Sequence, residues 1–422
     1  MTDTAVKKSA ESVKMPENGK KKHLSWQVIA CVCLVAVSVV LNVIAWKSTA
    51  FCDWYTAHIF PIWENTYGRL TSLLPFSFGE LLIAVAVFGI PLSLVAMLVL
   101  VIVRKGKRKK TVKIFGLVYM WIVTFVVTVQ TFNCFVIYHC SSFAKLNGIP
   151  TEQHTRTELE ALGNKLVTEI NALSKEVERD SEGKFVLTAD LDKTAQEAMR
   201  GLGSEFKNLG GFYVTPKAIK CSFFMSQMDL MGIYFPFSME ANYNQDMYKA
   251  KLPDTICHEL AHTKGYIQED EANFIAFMAC DRSDNADYRY SGYLAALGEV
   301  RNKIFDYASD DKKIEFDSSI CDEVWADMEA NWDYWRSVDE AKDTVFDSEA
   351  VGEISDKAME KSLKLNGVED GKQSRWTLWA FIFRSLWKLT TIRICIRRNF
   401  LTPFVMSLLI RKATFRRTRR TL

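Results

Sequence analysis

Apolar and polar positions along this chain fall into two regimes. Up to Tyr138, three runs of about 20 residues or more pass without a charge: Trp26 to Trp46, Leu81 to Val103 and Ile114 to Tyr138. Runs of that length cross a bilayer's hydrocarbon core as helices, so spans are predicted at about 26–46, 80–103 and 114–138. The first lies far from Met1, exceeds the apolar core of a signal peptide and lacks a small-residue cleavage site, which predicts an uncleaved anchor. Beyond Tyr138 the apolar positions spread out at helical spacing. Leu159, Leu162, Leu166, Ile170 and Leu173 mark one amphipathic helix, and "LDKTAQEAMRGLGSEF" marks another. From Gly210 to Asn244, aromatic and β-branched residues broken by glycine and proline predict a small sheet of two or three strands. Helical spacing resumes at Asp254 and continues to about Asn366.

The chain therefore divides into a tail at 1–23, a membrane region at 24–138, a mostly α domain with a small sheet at 139–370, and a second tail at 371–422. Charge gives this division a direction. Lys20, Lys21 and Lys22 precede the first run, and "RKGKRKKTVK" joins the second to the third, whereas residues 47–79 hold only Lys47 and Arg69. Lysine and arginine stay on the cytoplasmic side of short loops. The expectation is a multi-pass protein of the plasma membrane whose domain after Tyr138 is extracytoplasmic.

The net charge of +3 over 422 residues conceals a segregation. Residues 1–138 carry 15 basic and 6 acidic side chains, 139–370 carry 25 and 44, and 371–422 carry 13 and none. An acidic domain of this kind argues against nucleic acid as a partner, because that role needs a basic face. The lipid bilayer is the partner the apolar runs imply. The abrupt loss of acidic residues after Asp370 reads either as a basic aromatic segment on an anionic membrane surface or as a foreign, frame-shifted end. Ten cysteines show no short paired spacing of a zinc ribbon or a disulfide knot, leaving disulfides and buried thiols both open.

One stretch carries chemistry: "LPDTICHELAHTKGYIQEDEANFIAFMAC", Leu252 to Cys280. His258 and His262, four residues apart, project from one helix face and can share a zinc ion; Glu259 beside them can take a proton from the water that the metal activates. The competing reading is an exposed helix with two solvated histidines. Leu252 and Pro253 fit a helix start with Asp254 or Thr255 as cap, and Ile256, Leu260 and Ala261 fit its buried side. Gly265 fits the end of that helix, after which a second helix from about Gln268 would return a carboxylate to the site. A catalytic zinc takes three protein ligands and one open position, and without a third histidine nearby an acidic ligand is the natural choice.

"HELAH" with "EDEANFIA" resembles the zincin metallopeptidases whose third ligand is a glutamate in an E-x-E-A-[D/N]-x-x-A helix, as in the CAAX-processing membrane peptidases and the phage-repressor-cleaving peptidases. "GIYFPFSMEANYN", "HELAHTKGYIQEDEANFIAFMAC" and "YRYSGYLAAL" together resemble more closely a bacterial family of membrane-anchored proteins known as a domain of unknown function, DUF3810, over roughly residues 25–373. The zincin resemblance implies a zincin-like α+β domain, Zn2+ as cofactor and Glu269 as third ligand. Glu271 is the rival: the two differ by about 200° around a helix, so one of them faces the metal. Asn273, one turn beyond Glu269, would hydrogen-bond a ligating histidine. Ile233, Tyr234 and Phe235 would form the strand that pairs with substrate backbone, with Pro236 confining it to an edge. Tyr290 or Tyr293 would supply a phenol to the oxyanion, or would simply pack.

The expected function is a membrane-anchored zinc peptidase with Glu259 as general base, acting on a peptide or protein. A non-catalytic zinc-binding sensor or interaction module is the alternative, and a chain inactivated by its C-terminus is a third.

Overall fold

The computed structural model of the protein describes residues 25–150 and 154–345, so the tails at 1–23 and 371–422 lie outside the described residues. Among the described residues, three helices are long and apolar enough to cross a membrane: α1 (Trp26–Lys47), then, after the short α2 (Thr49–His58), α3 (Phe78–Val103) and α4 (Lys105–His139). Their surfaces remain apolar and exposed, as at Val40, Leu92, Leu98, Val103 and Val123. Polar side chains tie them together, as expected where apolar surfaces alone give no net attraction. Asn42 Nδ2 donates to Thr131 Oγ1 at 2.9 Å, and the hydroxyls of Ser93 and Tyr119 lie 2.7 Å apart. The third helix begins nine residues earlier than its apolar run, because the basic loop residues wind into the same helix.

Beyond α4 the chain is mostly helical around one three-stranded sheet. Helix α5 (Arg156–Leu173) opens with a reciprocal cap between Thr155 and Glu158 and buries Leu162, Leu166 and Ile170 at the predicted spacing. Helix α6 (Leu191–Gly201) is capped by the Asp190 side chain. Strand β1 (Lys217–Ile219), helix α7 (Ser222–Gln227), strand β2 (Gly232–Phe235) and strand β3 (Glu240–Asn244) follow. Helices α8 (Leu252–His262), α9 (Glu269–Asp281), α10 (Ala286–Phe305), α11 (Asp310–Ser318) and α12 (Asp322–Val345) complete the described chain. The core lies where α8, α9, α10 and α5 meet, with Ile256, Leu260, Ile275, Leu297 and Val300 each fully buried. Each such side chain is worth about 1.5–3 kcal/mol of burial.

The structure adds detail to three expectations. Ile233, Tyr234 and Phe235 form a strand at the sheet edge: β2 pairs antiparallel with β3, Ile233 opposite Asn242 and Phe235 opposite Glu240, and Pro236 falls in the turn. Proline is compatible with that turn, where no ladder N–H is needed. Helix α8 begins at Leu252 with no side-chain cap; the Asp254 N–H donates to Ser291 Oγ at 3.0 Å instead. Finally, the folded domain does not start at residue 139. Residues between α1 and α3 are built into it, because their polar groups complete buried bonds. Lys264 Nζ lies 2.9 Å from Glu64, Thr71 Oγ1 donates to the Ser238 carbonyl at 3.1 Å, and the Thr215 N–H donates to Ser72 Oγ at 3.0 Å.

The strongest junction between sheet and span is Glu240. Its carboxylate accepts the Phe78 and Gly79 N–H groups at 3.0 and 2.7 Å, capping α3, and also accepts from Ser238 Oγ and Lys217 Nζ at 2.6 and 2.8 Å. Lys217 Nζ in turn donates to the backbone carbonyls of Phe76 and Thr71. A buried ion pair is tolerable only when its remaining lone pairs and protons are satisfied in this way.

Candidate metal centre

Helix α8 places His258 and His262 one turn apart on one face, their rings 4.7 Å from centroid to centroid and nearly perpendicular. Gly265 ends the helical segment with φ of +90°, and a side chain there would collide with Thr56 of α2. Glycine is needed on both grounds, backbone and space. The chain then re-enters a helix at Glu269, whose side chain is 66% exposed and reaches back to the histidines. Glu269 oxygens lie 3.1 Å from His258 Nε2 and 3.9 Å from His262 Nε2. One donor atom from each of these three residues falls within 4.8 Å of the others.

The orientation of the rings bears most directly on chemistry. His258 Nδ1 lies 2.7 Å from Asn273 Oδ1, and His262 Nδ1 lies 2.6 Å from the Tyr266 carbonyl. Both partners are acceptors, so both Nδ1 atoms carry a proton and both Nε2 atoms turn toward Glu269. Two imidazoles pinned from behind and one carboxylate make a donor set of the kind that holds catalytic zinc with an open position. The residues fit that ion. Burial alone would depress the His258 pKa, but the adjacent Glu269 carboxylate more than reverses this and raises it to about 9, while burial and the neighbouring His258 lower His262 to about 4. A proton and a metal ion would therefore compete for His258 Nε2.

Glu259 projects from the same helix into a buried position, 5% exposed, against strand β2. A Cβ built on Gly232 would lie 2.4 Å from Glu259 Oε1 and 2.6 Å from its Cγ. Glycine in a strand often marks such a close approach, a signal that "GIYF" carries and the sequence reading did not use. Burial raises the Glu259 pKa to about 8, against the opposing pull of His258. A carboxyl that exchanges its proton near neutral pH suits acid–base chemistry.

The remaining predicted residues have separate places. Glu271 is buried on the other side of α9, where Oε1 accepts the Phe143 N–H at 2.6 Å; the three-residue cluster does not include it. Asn273 supports His258 as described. Tyr234 has its ring 6.3 Å from that of His262, and its hydroxyl donates to the Asn133 carbonyl of α4 at 3.3 Å. Phe235 packs on Gly79 at the start of α3. The Tyr290 hydroxyl donates to Asp327, which also accepts from Arg179 Nη2 at 2.8 Å and the Tyr248 hydroxyl at 2.5 Å. The Tyr293 hydroxyl donates to Asp281 at 2.8 Å. Sequence reasoning did not find the Tyr266 carbonyl, since a backbone acceptor has no residue-type signature.

A family model described as a protein of unknown function (DUF3810) matches residues 55–394, about four fifths of the chain. The match begins within α2, ahead of α3 and α4, and runs past the change of composition at residue 371. No curated protein and no solved structure matches.

Proposed function

The chain belongs to the DUF3810 family, and we propose that it is a membrane-anchored zinc peptidase with His258, His262 and Glu269 as metal ligands and Glu259 as general base. The observation that carries this reading is the pair of Nδ1 hydrogen bonds, which aim both Nε2 atoms at one point beside Glu269. When bound there, zinc would supply Lewis acidity toward a scissile carbonyl and toward water. Glu259 would take the proton of the attacking water and deliver it to the leaving amine, its buried position favouring both transfers. Strand β2, at the edge of the sheet, would hold substrate backbone through its outward N–H and C=O groups. The basic stretch 104–113 supports an orientation that puts this site outside the cytoplasm at the plasma membrane.

The test is metal content and turnover measured together on the full chain. The parent protein is expected to hold about one zinc per molecule, and His262→Ala to lose it. Glu259→Gln keeps the shape of the side chain and removes the base. It is expected to retain zinc and to lose turnover by a factor on the order of 10² or more. Full function of Glu259→Gln alongside intact zinc binding would instead favour a non-catalytic zinc-dependent module.

A further inference from the structure

The orientation of strand β2 relative to α3 and α4 bears on what this site would cut. Met231 and Asn244 are joined by one ladder hydrogen bond, the Asn244 N–H donating to the Met231 carbonyl at 2.8 Å. Antiparallel ladders alternate, so Ile233 and Phe235 also bond to β3, and the backbone groups of Gly232 and Tyr234 face the free side of the strand. On that free side the Tyr234 N–H turns toward the Glu259 carboxylate, which the Gly232 backbone also approaches closely.

The other end of β2 runs to the membrane helices. Phe235 packs on Gly79, two residues before Leu81, where the exposed apolar surface of α3 begins. In the turn beyond it, the Phe237 ring lies 5.2 Å from that of Phe235 and 6.0 Å from that of Phe125 on α4. Phe125 belongs to the exposed apolar belt of α4, along with Ile122, Val123 and Val126. It lies about 12 Å along the helix below Asn133, at 1.5 Å per residue. Asn133 Nδ2 donates to the Pro236 carbonyl at 2.8 Å and fixes the turn at that depth. The hairpin tip thus dips beside the apolar belt, while Gly232 lies roughly 10 Å back along the strand from Phe235, three residues at about 3.3 Å each.

We propose that the substrate is a membrane protein cut in the extended segment immediately flanking its own transmembrane helix, within roughly five residues of the apolar belt. This rests on the peptidase reading of the same site. A chain laid along the free side of β2 has one end beside Glu259 and the other beside Phe235, Phe237 and Phe125, so its continuation meets the lipid at once. A distant segment of a membrane protein, or a soluble peptide, gains nothing from this placement.

The experiment uses the full-length protein, zinc-loaded and reconstituted in phosphatidylcholine–phosphatidylglycerol vesicles with single-span test proteins. Each carries a library of randomised ten-residue cassettes on the side of the catalytic domain. In one set the cassette adjoins the helix; in the other a thirty-residue Gly/Ser spacer separates them. Both sets share the same membrane, so mere co-localisation raises both rates equally. Adjoining cassettes are expected to be cut at least tenfold faster, at bonds within about five residues of the helix. The Glu259→Gln protein, with a benzophenone in the cassette, is expected to crosslink to adjoining cassettes and not to spaced ones. Equal rates, faster cutting of spaced cassettes, or equal crosslinking would overturn the inference and leave the peptidase reading intact. Absence of cutting in both sets and in a soluble library would overturn the peptidase reading, and this inference with it.

Discussion

His258 and Asn273 meet across two helices: the ring Nδ1 and the amide Oδ1 are 2.7 Å apart, although fifteen residues and a tight turn separate them. The bond fixes both the rotation and the tautomer of the imidazole. Asn273→Ala is expected to weaken zinc binding by about 10- to 100-fold, the usual effect of removing such a support, while leaving the helices folded. Competition with a chelator of known affinity measures this directly. An unchanged affinity would mean that the ring is held by packing alone.

Gly232→Ala tests the approach of strand β2 to Glu259. A methyl group would overlap Glu259 Oε1 and Cγ, and Gly232 does not have a positive φ, so the effect is steric rather than conformational. Zinc content is expected to stay at the parent level while turnover falls at least tenfold, or about 1.4 kcal/mol in barrier. Loss of zinc together with turnover would show that Glu259 and the ligands cannot shift independently.

Glu271 gives a pH dependence of known sign. Burial raises its pKa from 4.5 to about 8 despite the Phe143 N–H it accepts. The folded state therefore binds this proton more tightly than the unfolded state. The associated stability is fully present below about pH 4.5 and is lost as pH rises toward 8. Glu271→Gln keeps a carbonyl for Phe143 and cannot ionise. In the presence of chelator, its thermal midpoint should match the parent near pH 4.5 and exceed it increasingly up to pH 9, by the equivalent of more than about 1 kcal/mol. A parent midpoint that rises over that range relative to the variant would contradict the assignment. In zinc-replete protein, Glu269→Ala should cost far more metal than Glu271→Ala; the reverse ranking would exchange their roles.

Tyr290 tests a catalytic phenol against a structural one. Its hydroxyl, with Arg179 and Tyr248, satisfies the buried carboxylate of Asp327. Tyr290→Phe is expected to cost about 1–3 kcal/mol of stability, as a bond to a charged acceptor does, with turnover per folded molecule unchanged. Asp327→Ala strands Arg179 and should cost about 3–5 kcal/mol. A loss of 10²-fold or more in turnover for Tyr290→Phe, without loss of stability, would restore the phenol to the oxyanion.

The legible parts of this protein are those where one physical period dominates a segment. The apolar runs of α1, α3 and α4 and the three-to-four spacing of Leu162, Leu166 and Ile170 needed no tertiary information. Likewise, the four-residue spacing of His258 and His262 is a property of a single helix. Strand β3 was harder, because "EANYN" is polar yet wholly buried at the centre of the sheet. Its polarity is answered from far away. Lys217 and the α3 N-terminus meet Glu240, and Ser226 and the Leu230 carbonyl meet Asn244. The role of residues 49–74 was hidden for the same reason, since Glu64 shows its partner Lys264 only after 200 residues have folded between them.

The Glu240 junction also sets an order of events. The N–H groups of Phe78 and Gly79 leave the ribosome about 160 residues before the carboxylate that will accept them. Until then the head of α3 has only the Ser77 side chain, which accepts the Glu80 N–H. Contacts of such long sequence separation form late and slowly, because loop closure must come first. The three apolar helices can therefore occupy the bilayer well before the sheet exists. The hairpin that carries β2 then docks onto helices already in place, so Glu259 and the strand beside it come together late in assembly.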